Sequence, residues 1–165
     1  MIRARSLVTL IALVAAVSFA GCQSSNRAGN YEPLVARFYL ESKPGETGTV
    51  VSLPVSGVEI VVNPKPVIVE YDIANAEVAR VDLGECLWVQ LTRAAARDLY
   101  RLSVAGMGRR LVLSLNDSPV GARRIEQTMA DGVIVTFVEA PDAELPLLVN
   151  RLKRTSANLA AVAQN

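Results

Sequence analysis

The chain has 165 residues, enough for one domain with a substantial core, and 51% of them are hydrophobic. It contains no histidine, which removes the commonest general base, the serine-protease relay and the usual zinc ligand together. Its formal charge is +1, and removing Arg3 and Arg5 from the 17 basic residues leaves 15 against 16 acidic ones, so the body offers no electrostatic basis for binding nucleic acid.

Arg3 and Arg5 precede the apolar run Leu7 to Phe19, and Ala20, Gly21 and Cys22 follow. The run is shorter than the roughly 20 residues of a membrane span and reads as a signal peptide over residues 1–21. Phe19-Ala20-Gly21-Cys22 resembles the bacterial lipoprotein box, with Phe19 in place of the usual Leu. That resemblance implies acylation of Cys22 and a membrane anchor through an N-terminal lipid. The alternative is ordinary secretion with cleavage after Ala20, since Ser18 and Ala20 also form a small-x-small site. Gln23 follows the cysteine where an Asp would retain a lipoprotein at the inner membrane, which implies an outer-membrane location facing the periplasm if the cell has two membranes. Residues 22–33 are polar and aperiodic, a tether that reaches about 36 Å when extended.

Residues 34–65 read as a β-rich segment. Leu34–Leu40 is a first strand, and Pro44, Gly45 and Gly48 punctuate a loop. Thr49–Leu53 and Val58–Val62 form a hairpin around Pro54, Ser56 and Gly57. Residues 66–154 then read as an α+β domain. Val67–Tyr71 is extended, with Asp72 capping one helical turn through Asn75. In Glu77–Leu83 the alternation places Ala79, Val81 and Leu83 inward, and Cys86–Leu91 is a nearly all-apolar central strand.

Thr92 is a helix N-cap, Ala95, Leu99 and Leu102 form the apolar face, and Gly106 and Gly108 end the helix. Arg93, Arg97 and Arg101 stripe the opposite face, as a solvated surface with Asp98 placed to pair with Arg101, or as a phosphate or lipid-headgroup site. Leu111, Leu113 and Leu115 mark a half-buried strand, Asn116–Pro119 a turn, Asp131-Gly132 a second turn and Val133–Val138 a further strand. Asp142 caps a last helix with Pro146 in its first turn and Leu145, Leu148, Val149 and Leu152 inward. Arg151, Lys153 and Arg154 sit where positive charge suits the end of that helix, leaving 155–165 as a tail.

Two cysteines, Cys22 and Cys86, do not make a disulfide scaffold, because Cys22 is claimed by the lipid and Cys86 reads as a small core hydrophobe. Arg109, Arg110, Arg123 and Arg124 flank one turn at similar distance and are the candidate anion or partner contact, against ordinary surface arginines neutralised by Glu126 and Asp131. No motif supports a metal, nucleotide, flavin or other cofactor. Glu70, Asp72, Glu77, Asp82 and Glu85 are the carboxylates that a cell-wall or lipid hydrolase would have to bring together, and they share no motif.

From Pro66 to Arg154 the order strand, helix, strands, helix is the ferredoxin-like split βαβ pattern. Leu91-Thr92 with Ala95 or Ala96, Gly108-Arg109-Arg110-Leu111, Asn116-Asp117 before Val120, Arg124-Ile125 before Ala130-Asp131-Gly132, and a helix near Asp142 resemble the periplasmic head of the first large loop of SecD, the protein-export subunit. The match departs at Asp117-Ser118, where that family has Asp-Gly, and at Gly121-Ala122-Arg123, where it has Ser-Ala-Pro. No transmembrane helices follow, so the resemblance implies a head domain used alone. It also implies a non-catalytic envelope protein that binds a protein partner or unfolded segment, with a structural lipoprotein packed in an envelope complex as the alternative.

Overall fold

The computed structural model describes residues 32–163, so the signal peptide, Cys22 and most of the tether lie outside the described residues. From Pro33 onward the chain is one compact unit. Its eight strands and two helices are β1 (Ala36–Leu40), β2 (Thr49–Ser52), β3 (Glu59–Val62), β4 (Ile73–Val81), β5 (Gly84–Leu91), α1 (Arg93–Ala105), β6 (Arg110–Leu115), β7 (Ser118–Arg124), β8 (Val133–Thr136) and α2 (Leu145–Ala163). They form three antiparallel sheets, ordered β1-β6-β7, β4-β5-β8 and the hairpin β2-β3.

The split βαβ order is present along the chain, and the two strands that flank α1 belong to different sheets, β5 beside β4 and β8, β6 between β1 and β7. The β-rich segment joins the same unit. β1 pairs with β6, from Ala36 opposite Leu115 to Leu40 opposite Leu111, and on its other side Phe38 exchanges backbone hydrogen bonds with Ile68 and Val67. Phe38, Leu111, Leu113, Leu87, Leu99, Ile125 and Ile134 are at most 1% exposed and form the centre of the main core.

The first helix follows its sequence signals at both ends and the second departs from them at both. Thr92 accepts a hydrogen bond from the Ala95 N–H, and Gly106 closes α1 through its N–H to the Leu102 carbonyl. Gly132 has φ +70°, and a Cβ there would sit 2.5 Å from that of Ala96, so the Asp131-Gly132 turn and the alanine of α1 require each other's smallness. Asp142 does not cap α2. It opens a 3-10 turn that runs to Glu144, and α2 then continues through Ala163 with Leu152 and Thr155 buried and Leu159 half-buried. The tail expected from residue 155 is therefore helical as far as Ala163, and Arg151, Lys153 and Arg154 lie mid-helix, where the macrodipole gives them nothing.

Two burial expectations are overturned by packing. Val81 and Leu83 overhang at the β4–β5 turn, 42% and 85% exposed, while Ile73 and Ala76 face the core, because a register shift between Ile73 and Asn75 re-phases the strand. The helical turn expected from Asp72 to Asn75 lies earlier, at Glu70–Asp72, where the Asp72 carboxylate accepts from the Val69 N–H, and Ile73 already begins β4. β6 is buried on both faces rather than one, since Leu53, Ile60 and Val62 of the β2–β3 hairpin cover Val112.

Candidate functional site

The four arginines do not form one cluster. Arg110 and Arg124 face each other across β6 and β7, and Arg110 donates to both oxygens of Glu41 at 2.5 and 3.0 Å. Arg109 donates through Nε and a terminal nitrogen to the Glu41 backbone carbonyl. Arg123 points elsewhere, donating at 2.7 Å to the Val135 carbonyl of the neighbouring sheet. The balancing carboxylate is Glu41 rather than Glu126 or Asp131, and Asp131 accepts instead from the Val133 N–H of its own turn. Hydrogen bonding from Arg110 holds the Glu41 carboxyl below the usual carboxylate range, and Glu41 in turn raises Arg110.

The depression beside this corner, about 470 Å³, is lined by Lys43, Arg109, Arg110 and Arg124 but also by Glu41, Glu46 and Glu59. Four cations against three carboxylates leave little field for an anion. Arg93, Arg97 and Arg101 are exposed on α1, and Arg101 meets Asp98 at 3.4 Å.

Four of the five carboxylates considered for hydrolysis hold separate partners, Asp72 through the Val69 N–H. Glu70 is bound by Arg37 at 3.1 and 3.3 Å; burial disfavours its charge, but those bonds outweigh burial and keep its pKa lowered. Glu77 bonds to Asn75 and lies 3.8 Å from Lys153, Glu85 pairs with Arg80, and Asp82 stands exposed in the β4–β5 turn. Cys86 is buried, which pushes its thiol pKa up, and its Sγ donates to the Ala79 carbonyl. Among the described residues no three His, Cys, Asp or Glu side chains are grouped as a metal site, and no helix is long and apolar enough to cross a membrane.

Strand edges distinguish the surfaces more sharply than charges do. The outer edge of β1 is bonded to residues 67 and 68, the Val120 carbonyl of β7 accepts from the Glu139 N–H, and the Val135 carbonyl of β8 is capped by Arg123. Two edges remain unbonded among the described residues. β4 carries the exposed charges Glu77 and Arg80 and a register shift, features that discourage pairing with another chain. β2 reads Thr-Val-Val-Ser and carries no such protection.

The phase of β2 is fixed by its neighbours. The Val61 carbonyl accepts from Ser42, on the side away from β2, so the Val50–Val61 pair is a non-hydrogen-bonded one. The N–H and C=O of Val50 therefore point to the open edge, and its side chain is 60% exposed. The hairpin that presents this edge is held at its tip by Glu139, whose carboxylate accepts from the N–H groups of Val55 and Ser56 at 2.7 and 2.9 Å and is held below its usual pKa by Ser56. The sequence contained the signal for this edge, a β-branched strand with no charge, next to the hairpin turn.

No protein-family model matches the chain, and no curated protein matches it by sequence. Among solved structures it is similar to that described as "Structure and function of a membrane component SecDF that enhances protein export", with a TM-score of 0.57 and 18% identity over 81% of this chain and 70% of that chain. A second, SecDF in its super-membrane-facing form, gives a TM-score of 0.57 and 21% identity over 73% of this chain but only 18% of its own length. The described residues therefore have an α+β fold that resembles the periplasmic domain of SecDF.

Proposed function

We propose that this chain is a lipid-anchored cell-envelope protein whose non-catalytic, SecD-head-like domain binds an extended segment of another protein by strand addition at β2. The open, uncharged edge of β2 carries the reading, because an added strand gains the main-chain hydrogen bonds that Val50 has free. Resemblance to a membrane component that enhances protein export supports a partner among exported or envelope proteins. The lipoprotein box at Cys22, followed by Gln23, supports an anchor in the outer membrane of a cell that has one.

Val50→Pro removes the N–H that faces the open edge and leaves the β2–β3 hydrogen bonds in place. Binding of a reduced, carboxymethylated unfolded polypeptide, followed by fluorescence anisotropy, is expected to weaken about tenfold in this variant with no change in its circular dichroism. Unchanged binding excludes strand addition at β2. For the anchor, cells fed labelled palmitate should label the wild-type chain and not Cys22→Ser. An unlabelled wild type, or a labelled variant, refutes acylation at Cys22.

A further inference from the structure

We propose that the cleft between β2 and the β1-β6-β7 sheet is a side-chain pocket that selects one bulky, uncharged apolar residue in an extended segment with basic flanks; the proposal rests on strand addition at β2. Thr49 and Val51 lie opposite Val62 and Ile60, and those two are buried against the sheet below. Thr49 and Val51 therefore face inward as well. Yet Thr49 is exposed and Val51 only half-buried, because the hairpin supplies two strands above a sheet of three.

A strand added beside β2, about 4.8 Å away, would send alternate side chains into the same layer. The floor it would meet includes Val112, Ser114 and Pro119, of which Ser114 and Pro119 are opposite each other on β6 and β7. The cleft measures about 220 Å³, below the roughly 300–1,000 Å³ of pockets that enclose whole small-molecule ligands. One side chain fits that space.

Its chemistry narrows the occupant. The Ser114 hydroxyl makes no hydrogen bond to another described residue, and no fully enclosed side-chain oxygen or nitrogen among the described residues lacks a partner. This oxygen therefore opens toward the cleft, in walls that are otherwise largely aliphatic and aromatic. At the rim, a single guanidinium, Arg37, serves two carboxylates, Glu70 at 3.1 Å and Asp117 at 3.2 Å, and Asp117 is 78% exposed. Asp117 is the only charged residue that lines the cleft, and it shares its guanidinium with Glu70. A carboxylate entering the cleft would be repelled and desolvated, whereas a lysine or arginine on the flank would pair with Asp117. A second copy of this chain fits less well, since its own β2 would offer only Thr49 and Val51 on that face and has no cation.

The test uses purified full chain in detergent and labelled nine-residue peptides of alternating threonine and valine with lysine at both ends, differing only in a central leucine, glycine or aspartate. Leucine is expected to bind about tenfold tighter than glycine and more tightly still than aspartate. Ser114→Leu, which fills the floor, should erase the leucine preference and leave the weaker binding of the glycine peptide. Val50→Pro should weaken all three. If Val50→Pro weakens binding but the central residue is without effect, the pocket is refuted and strand addition stands. If Val50→Pro leaves binding unchanged, or no peptide binds, both are refuted. A chain that dimerises in sedimentation and becomes monomeric as Val50→Pro identifies a second copy as the occupant and overturns the proposal.

Discussion

Gly121→Ala is expected to lower the melting temperature by roughly 5–12 °C, corresponding to about 2–3 kcal/mol of stability. Gly121 lies on β7 beside a register shift, and it is buried where the chain leaving β8 crosses. A Cβ at this position would stand 2.1 Å from the Phe137 carbonyl oxygen and 3.2 Å from its carbon. Neither atom can swing aside as a side chain would, so the two backbones must separate. Their separation breaks the bond from the Glu139 N–H to the Val120 carbonyl and loosens Arg123 from Val135, the two hydrogen bonds that link β7 to the segment through and beyond β8. The sign makes the measurement decisive. Alanine for glycine in an unstrained site stabilises by about 0.4–1 kcal/mol through the unfolded chain, so an unchanged or raised melting temperature would refute the close approach.

Phe38→Ala should cost about 3–5 kcal/mol, the range for truncating a fully buried phenylalanine whose neighbours only partly collapse. Phe38 is 0% exposed, lies opposite Leu113, and is bonded on its other edge to residues 67 and 68. With Leu34, Ala36 and Leu40 it carries the first β segment into the core of the domain that follows, and it is the largest of the four. In urea the midpoint should fall while the slope stays the same. The fluorescence of Trp88, the chain's single tryptophan, in the other large sheet, should report the same transition as circular dichroism. Two separate transitions would show that residues 34–65 fold on their own account.

Local signals in the sequence hold where a side chain acts on its own backbone. Thr92 and Gly106 bound α1 as expected, and Pro54, Ser56 and Gly57 turn the β2–β3 hairpin. Asn116 and Asp117 have positive φ, 46° and 64°, as their place between β6 and β7 requires. The failures are tertiary. Nothing near Val112 and Ser114 in sequence announces that a hairpin some 60 residues earlier will cover them. The inward alternation expected of Ala79, Val81 and Leu83 failed because a register shift at the start of β4 and an overhang at its end both re-aim the strand. The arginines show the same limit. Spacing placed Arg109, Arg110, Arg123 and Arg124 near one turn, but the pleat sends Arg123 toward β8, and the true counter-ion, Glu41, lies 69 residues away in sequence. The β2 edge was legible as a charge-free strand, whereas the cleft beside it depends on how two layers stack.

The closing contacts of the domain also set an order in time. The Leu34 N–H donates to the Thr155 hydroxyl across 121 residues, the Val35 N–H donates to the Asn116 side chain across 81, and β1 is paired with β6. The hairpins β4–β5 and β6–β7, by contrast, close through two-residue loops. Loop-closure entropy favours those hairpins as early structure and makes β1 a late arrival. Until β6 and α2 are in place, the β6-facing edge of β1 has no partner, so β1 is held only by its short bridge to residues 67 and 68 while the rest of the domain assembles.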